Sequence, residues 1–298
     1  MNVLSSAMRF SLVVPTLNRP DSLKMFLEGL IGQPFTDLEV IIVDQSGSDL
    51  YDQVVEEFSS RLCLRHIRSN VRRCRYACAV GAAHAIGDII AFPDDDCVYR
   101  PDTLTRVDEH FRDDPELGFL TGAVINFEGS RTRMGRWLQK SAWLNQKTIW
   151  TGLIEFNMFI RRDLYEAVGG FDIDMGPGCD FVAAEGQDLG LRLLRSGARG
   201  YFDSDLLVMH PDKPDDVKRD RARSYARGMG YALRKNNASA GLVAIFMIRP
   251  FGGILLSLLR GMPGYAGYYL RMLTGRIEGY FSWAAFRAQA EVSARFLR

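Results

Sequence analysis

Short apolar runs alternate with helical patterns through the first third of the chain, and this alternation limits the fold more than any other feature. Four apolar runs predict strands: Phe10–Pro15, Leu38–Asp44, Leu62–Ile67 and Ile89–Pro93. Three segments between them predict helices or parts of helices: Asp21–Ile31, Leu50–Phe58 and Val80–Ile86. Strands that alternate with helices are typical of βαβ units, so we expect an α/β domain built on a parallel sheet.

The pattern is less regular beyond Phe111, and no internal repeat or low-complexity tract is visible. Further elements are predicted here: a strand at Phe156–Ile160, a helix at Arg162–Val168, a glycine-rich loop at Gly169–Cys179, a helix at Asp188–Ser196 closed by Gly197, and a strand at Leu206–His210.

The formal net charge of +1 conceals a strong segregation of charge along the chain. From Lys218 to Arg298 there are 14 Lys or Arg and 3 Asp or Glu, which gives +11, so residues 1–217 carry −10. We therefore expect two domains, an acidic α/β domain over residues 1–217 and a basic helical segment over residues 218–298.

The basic segment contains an apolar stretch, Gly241–Leu259, that approaches the length of a membrane span. Arg249 and Pro250 divide it, because a central Arg costs about 2.5–3.5 kcal/mol on insertion and Pro breaks a helix. We expect two short apolar helices in the membrane interface, with basic and aromatic neighbours at headgroup level: Arg234, Lys235, Arg260, Arg271, Tyr265, Tyr268, Tyr269, Tyr280 and Trp283. The alternative is a helical pair packed on the first domain or on a second subunit.

Cysteine usage and the N-terminal sequence indicate the compartment. The five cysteines are an odd set without CxxC spacing, which argues against a disulfide framework and a structural zinc site. Met1–Ser11 lacks the apolar region of a secretory signal. We expect a cytoplasmic protein that is peripheral on the inner face of the cell membrane.

Three consecutive acids, Asp94, Asp95 and Asp96, follow the predicted strand Ile89–Pro93 with no basic residue among them. In open α/β sheets, ligands bind at the carboxyl ends of the strands. Mg²⁺ or Mn²⁺ would relieve the repulsion between the carboxylates and leave positions for substrate phosphates. The alternative is a set of solvated loop acids, but the buried strand before them favours a metal.

Several motifs, in this order, resemble those of family 2 glycosyltransferases with the GT-A fold. They are FSLVVPTLNRP at Phe10–Pro20, EVIIVDQSGSD at Glu39–Asp49, AIGDIIAFPDDDCVYRPDTL at Ala85–Leu104, VGGFD at Val168–Asp172 and AEGQDLGLRLLRSG at Ala184–Gly197. The resemblance implies a Rossmann-like mixed sheet flanked by helices and a metal-dependent, inverting transfer of sugar. The donor would be a UDP-, GDP- or dTDP-linked sugar, and the acceptor a saccharide or lipid-linked molecule in cell-surface polysaccharide or glycoconjugate synthesis.

The resemblance also implies roles for individual residues. Pro15 and Thr16 lie beside the nucleotide, and Asp44 accepts a hydrogen bond from its base or ribose. Asp96 binds the metal, with Asp94 on the ribose or metal. Asp95 is expected in donor binding and His210 as a metal ligand. A family Arg-Asn pair is Cys78-Ala79 in this chain. Arg72, Arg73 and Arg75 either reach the diphosphate in its place or are surface charges.

A general base must take the proton of the acceptor hydroxyl. The family often has an acidic pair before its helix DLxLRL, but the second acid is Gly186 in this chain. Glu185 is therefore the better candidate for the base, and Asp188 is either a second candidate or an acid that stabilises the start of the helix.

Two other functions remain open at this point. A nucleotidyltransferase would carry a glycine-rich phosphate loop after the first strand, which PTLNRPDSL at Pro15–Leu23 lacks. A catalytically inactive protein that binds a sugar or lipid carrier would be consistent with Gly186 and with Cys78-Ala79. The basic segment lacks a nucleic-acid-binding motif, so we expect no nucleic-acid partner.

Overall fold

The computed structural model describes residues 9–132, 136–212 and 215–296, with the backbone alone at 215, 216, 218 and 283–296. The prediction for the Trp283 side chain and most of the prediction for Met1–Ser11 therefore lie outside what the structure describes. The chain forms two compact units: the first contains Met1–Ile173 and Leu189–Asp212, and the second contains Asp174–Asp188 and Lys213–Arg298.

The first unit is a mixed α/β structure around one sheet. Nine strands occur among the described residues: β1 (Phe10–Thr16), β2 (Leu38–Asp44), β3 (Leu64–Arg68), β4 (Ile89–Ala91), β5 (Val98–Tyr99), β6 (Leu117–Ile125), β7 (Ala142–Trp143), β8 (Met158–Arg161) and β9 (Arg199–Met209). Their order in the sheet is β3-β2-β1-β4-β8-β6-β9-β5, and β7 also pairs with β9. β3, β2, β1 and β4 are parallel, and β8 is antiparallel to both β4 and β6.

Helices connect these strands. They are α1 (Pro20–Ile31), α2 (Asp52–Ser59), α3 (Cys74–Ala82), α4 (Thr103–Asp113), α5 (Ile149–Gly152), α6 (Arg162–Ala167) and α7 (Glu185–Arg195), which begins in the second unit, together with a 3-10 turn at Glu155–Asn157. Residues of β1 and β2 are buried throughout, as expected for central strands of a parallel sheet covered on both faces.

The parallel strands bring their carboxyl ends to one edge of the sheet. Thr16 and Asp44 are directly opposite each other at the ends of β1 and β2. The three acids follow β4, which pairs with β1 on its other side. The predicted α/β fold and the position of the acids at a strand end are therefore confirmed.

Some predicted boundaries are wrong. The helix predicted at Val80–Ile86 is α3, which ends at Ala82 because the chain must then pass directly beside β1: a Cβ on Gly87 would lie 2.7 Å from the backbone of Phe10 and Ser11. Phe156 and Asn157 belong to the 3-10 turn rather than to a strand. The last predicted strand begins at Arg199 and not at Leu206, and α7 begins at Glu185 and not at Asp188.

The second unit contains three long helices, α8 (Asp215–Lys235), α9 (Ala240–Leu259) and α10 (Pro263–Phe296). α8 and α10 approach each other closely through glycines: a Cβ on Gly279 would overlap the carbonyl of Arg227, and one on Gly230 would overlap that of Arg276. Backbone contact of this kind leaves no room for any larger residue.

α9 corrects the prediction of two short helices divided at Pro250, because it continues through that residue. Proline removes the N–H that would bond to the carbonyl four residues earlier, which is that of Phe246. The Arg276 guanidinium from α10 donates to this carbonyl instead, and its Cζ lies 5.0 Å from the centre of the Phe246 ring. A side chain thus supplies the donor that the proline lacks, and the helix continues.

Candidate active site

Asp95 joins the acid triplet to the loop after β1. Its side chain is fully buried, and Thr16 Oγ1 donates a 2.5 Å hydrogen bond to its Oδ2. Arg19 forms an ion pair with its Oδ1. Tyr51 completes the group, since its hydroxyl lies 2.8 Å from Thr16 Oγ1 and accepts a 2.8 Å hydrogen bond from the backbone N–H of Arg19. Asp95 therefore holds the first loop against the triplet.

Asp96 and His210 face each other at the carboxyl edge of the sheet. His210 Nε2 lies 3.3 Å from Asp96 Oδ1 and 3.9 Å from Asp94 Oδ2. His210 Nδ1 lies 2.8 Å from the carbonyl oxygen of Pro211, and the imidazole stacks on Phe156 with 4.6 Å between ring centres. Burial acts to lower the pKa of His210, but Asp96 and Asp94 outweigh it and raise that pKa. When His210 is neutral and donates Nδ1–H to that carbonyl, its Nε2 lone pair is directed at the acids.

Burial and neighbouring charges separate the pKa values of the acids. Burial raises the pKa of Asp95 to about 7, although the Thr16 hydrogen bond and the Arg19 charge oppose this. Burial also acts to raise the pKa of Asp96, but His210 in its protonated form, whose Nε2 lies beside Oδ1, and the charge of Arg19 outweigh it and hold that pKa at about 2. Burial raises the pKa of Asp94, with Arg75 opposing. Asp96 is thus the most firmly ionised acid of the triplet.

These residues fit a divalent cation. Asp96 Oδ1 is buried and has no hydrogen-bond partner within the part of the chain that the structure describes, although His210 Nε2 lies beside it. Ligand atoms that are adjacent in an octahedral site at about 2.1 Å from the ion are separated by about 3 Å, close to the 3.3 Å measured here. Asp96, Cys97 and His210 offer ligand atoms that all lie within 4.8 Å of one another. Carboxylate oxygen suits both Mg²⁺ and Mn²⁺, and the imidazole ligand favours Mn²⁺ of the two.

Asp44 lies at the end of β2, next to the first loop. Its Oδ1 accepts a 2.8 Å hydrogen bond from the Ser46 N–H, and His66 Nε2 lies 3.4 Å from its Oδ2. Asp44 Oδ2 is buried and has no hydrogen-bond partner among the described residues. An acceptor of this kind, beside Thr16, is suited to an N–H or O–H group of a nucleoside. Pro15 precedes Thr16 in β1 and is buried opposite Val43.

Arg75 lies in the first turn of α3 and is 1% exposed. Its guanidinium covers the ring of Phe171 at 4.7 Å, lies 3.4 Å from Cys78 Sγ and is 3.6 Å from Glu155 Oε1. Its charge also acts on Asp94, as described above. Arg72 and Arg73, by contrast, are exposed.

The two predicted bases lie in the second unit at the start of α7. Glu185 is 2% exposed and follows Ala184, whose φ of +70° places the chain in the left-handed region. Asp188 is fully buried: Lys235 Nζ lies 2.8 Å from its Oδ2, and Asn236 Nδ2 donates a 2.8 Å hydrogen bond to its Oδ1. Asp188 thus ties α7 to the end of α8.

Sequence reasoning missed Arg19 and Tyr51. Arg19 lies in the quoted motif FSLVVPTLNRP, directly before the proline that begins α1, so its position near the acids could have been inferred from the strand order. Tyr51 is fully buried between its contacts with Thr16 and Arg19, and no motif marks it.

Known proteins are similar to this chain in sequence. The family model Glycosyl transferase family 2 matches residues 11–169. The glucosyl-dolichyl phosphate glucuronosyltransferase of Haloferax volcanii is 24% identical over 217 residues, which cover 68% of this chain and 69% of that protein. The poly(ribitol-phosphate) beta-N-acetylglucosaminyltransferase TarS of Staphylococcus aureus is 31% identical over 114 residues, which cover 36% of this chain but only 20% of TarS.

Solved structures share the fold. The mannosyltransferase PcManGT from Pyrobaculum calidifontis, in complex with GDP-Man and Mn²⁺, has a TM-score of 0.65 at 16% identity, covering 92% of this chain and 88% of that one. TarS 1–349 in complex with UDP-GlcNAc has a TM-score of 0.62 at 16% identity, covering 90% of this chain and 92% of that one. At these identities the likeness establishes the fold alone.

Proposed function

The chain belongs to glycosyl transferase family 2, and we propose that it transfers a sugar, with inversion and with the aid of a divalent metal, from a nucleotide diphosphate to a saccharide or lipid-linked acceptor. That it is a glycosyltransferase acting on nucleotide-sugar donors follows from the family. The main support for a bound metal is the buried Asp96 Oδ1, which faces His210 Nε2 at 3.3 Å at the carboxyl edge of the sheet.

The nucleoside binds, in this proposal, between the ends of β1 and β2. Asp44 Oδ2 accepts a hydrogen bond from the base or the ribose, and Pro15 and Thr16 form the adjoining wall. Asp94 contacts either the ribose or the metal in this proposal. Asp95 contributes indirectly, because its bonds to Thr16 and Arg19 fix the first loop against the triplet.

Asp96 and His210, with Asp94 beside them, would hold the metal. When bound, the ion neutralises negative charge on the departing nucleoside diphosphate. The protein's own contribution is to orient the ligands: Pro211 O receives the Nδ1–H of His210, and Phe156 fixes the plane of its ring. Mn²⁺ or Mg²⁺ is the proposed cofactor.

Glu185 is the proposed general base. Acceptor oxygen attacks the anomeric carbon opposite the leaving diphosphate, a new C–O bond forms as the bond to the diphosphate oxygen breaks, and the Glu185 carboxylate takes the hydroxyl proton. One such displacement inverts the anomeric carbon without a covalent sugar intermediate. Asp188 has a structural role in this proposal, because Lys235 and Asn236 engage its two oxygens.

The second unit presents an apolar helix face, which we propose rests on the surface of an anionic membrane. α9 is long and apolar enough to cross a bilayer by length and composition, with a mean hydropathy of 2.1 and 22% of its apolar window buried. Its large exposed apolar side chains are Ile245, Ile248, Phe251, Leu255, Leu256, Leu258 and Leu259, and most of them recur at helical spacing. Leu242, Phe246, Pro250 and Ser257 are buried on the other side.

Two observations favour a position in the interface rather than across the bilayer. Arg249 is exposed in the middle of the helix, where a spanning position would place its charge in hydrocarbon. The segment from Lys218 onward carries a formal net charge of +11, and this positive charge attracts anionic headgroups. The proposed location is therefore peripheral, on the inner face of the cell membrane.

Vesicle sedimentation tests this surface. We expect the full chain to bind phosphatidylglycerol vesicles, and the double variant Phe251→Ser, Leu255→Ser to bind at least about tenfold less, because each apolar side chain contributes about 1.5–3 kcal/mol when buried. Ile86→Ser is the control, since Ile86 is 57% exposed in the first unit and Phe251 is 61% exposed. Equal binding by all three proteins, or none by the wild type, would contradict the membrane proposal.

Release of nucleoside diphosphate tests the reaction. The protein is incubated with UDP-, GDP- and dTDP-linked sugars, and slow donor hydrolysis is followed with Mn²⁺ and with EDTA. We expect one nucleotide class to be hydrolysed with Mn²⁺ and not with EDTA. Hydrolysis that is equally fast in EDTA would contradict metal dependence, and no release from any donor would favour a binding protein.

A further inference from the structure

Arg19 is a charged residue of the site that the family motifs leave without a role. Its Nη1 lies 2.7 Å from Asp96 Oδ2, and its other terminal nitrogen pairs with Asp95 Oδ1. One guanidinium thus bridges two acids of the triplet. Among the described residues, no other Lys or Arg forms an ion pair with either acid.

The backbone of Arg19 is fixed, but its side chain faces solvent. The N–H donates to the hydroxyl of buried Tyr51, and Pro20 follows as the first residue of α1. The side chain is nevertheless 48% exposed, whereas Asp95 is fully buried and Asp96 is 19% exposed. The guanidinium therefore lies between the buried acids and the open side of the site, where a ligand would enter.

Arg19 and His210 engage different oxygens of Asp96. Arg19 takes Oδ2, and Oδ1 is left facing His210 Nε2. A divalent ion between Oδ1 and Nε2 would share Asp96 with the guanidinium and be repelled by it. A unit charge a few ångströms from a divalent ion changes its binding by about tenfold or more, even at the dielectric constant of water. An anionic diphosphate would have the opposite effect, since it attracts both cations.

We propose that Arg19 makes metal and donor bind cooperatively: it weakens metal binding while the donor is absent and binds the donor's diphosphate once both are present. This inference rests on the proposed function and gives Arg19 a role in binding the metal and the donor. The two effects have opposite signs. Loss of Arg19 should therefore tighten the binding of metal alone and weaken the binding of nucleotide in the presence of metal. Loss of a residue with a merely structural role would weaken both.

Calorimetry on the full chain tests the proposal, with Mn²⁺ alone as the first probe and UDP, GDP or dTDP at saturating Mn²⁺ as the second. For Arg19→Gln we expect Mn²⁺ to bind about tenfold more tightly and the nucleotide about tenfold or more weakly. Arg19→Lys keeps the charge but not the bidentate fork, so its Mn²⁺ affinity should stay near that of the wild type.

Arg199→Gln is the matched control. Arg199 is 41% exposed and likewise pairs with two carboxylates, Asp114 and Glu116, but it begins β9, away from the carboxyl edge of β1 and β2. If Arg19→Gln binds both Mn²⁺ and nucleotide more weakly than wild type, or has the same affinities as Arg199→Gln, this inference is wrong and the proposed function is unaffected. Wild-type protein that binds no nucleotide diphosphate with Mn²⁺ would overturn the proposed function and the inference with it.

Discussion

The variants Glu185→Gln and Asp188→Asn should separate the general base from its structural neighbour. Glu185→Gln keeps the size of the side chain but cannot take a proton. Transfer should therefore fall by about 10²–10⁴-fold, which corresponds to about 3–5 kcal/mol in the barrier, while nucleotide binding stays nearly intact.

Asp188→Asn should act on stability instead. The fully buried carboxylate engages Lys235 and Asn236, so the variant loses the charge that compensates Lys235. Breaking a buried pair costs about 3–5 kcal/mol, and because Lys235 is 21% exposed we expect a loss near the lower end, about 3 kcal/mol.

The assays are transfer to acceptor at saturating donor and urea unfolding of each variant, with NMR coupling constants to read the anomeric configuration of the product. Normal transfer by Glu185→Gln together with a folded but inactive Asp188→Asn protein would place the base at Asp188. Retention of configuration would refute the single displacement itself.

Two further predictions concern the helices and the sheet. Arg276→Met should lower the free energy of unfolding by about 1–3 kcal/mol, because the carbonyl of Phe246 loses its donor. Adding Pro250→Ala to this variant should largely offset the loss, because alanine at position 250 has a backbone N–H that can bond to the same carbonyl. If urea unfolding shows that the effects of the two changes simply add in the double variant, the Arg276 guanidinium does not replace the missing N–H. Burial acts to raise the pKa of Asp203, but hydrogen bonds from His110 and Arg106 outweigh it and hold that pKa well below its usual range. The ionised carboxylate should therefore stabilise the fold fully at neutral pH, and this contribution should decline as the pH falls below about 4. The difference in free energy of unfolding between wild type and Asp203→Asn, measured in urea, should be smaller at pH 3 than at pH 7, and an equal difference at both would contradict this account.

The parallel part of the sheet was predictable because its strands are local, strongly apolar and separated by helices. β2 matches its predicted range, Leu38–Asp44, and β1 differs by one residue. β6 was not predicted, although its nine residues are all buried: Gly118 and Gly122 interrupt its apolar pattern, and both lie where a Cβ would collide with neighbouring chain. Tertiary packing, rather than local propensity, forms this strand.

Sequence motifs identified the acids but not their connections. The strand pattern placed the triplet at a carboxyl end of the sheet, and the resemblance to the family placed Thr16 and Asp44 beside the nucleotide. The bridge from Arg19 to Asp95 and Asp96 depends on side-chain directions that no spacing rule gives. In the same way, the continuity of α9 through Pro250 depends on a donor from a residue 26 positions further along the chain.

Calorimetric titration of Asp96→Ala with the nucleotide diphosphate that the wild type binds is the most direct test of the metal site. Asp102→Ala is the control, because Asp102 is an exposed acid six residues away whose one ion pair among the described residues is the 3.6 Å contact with Arg100. We expect wild type and Asp102→Ala to bind the nucleotide more tightly with Mn²⁺ than with EDTA, and Asp96→Ala to remain folded, by circular dichroism, but to lose this difference. A folded Asp96→Ala protein with undiminished Mn²⁺-dependent affinity would contradict the assignment of the metal to Asp96 and His210.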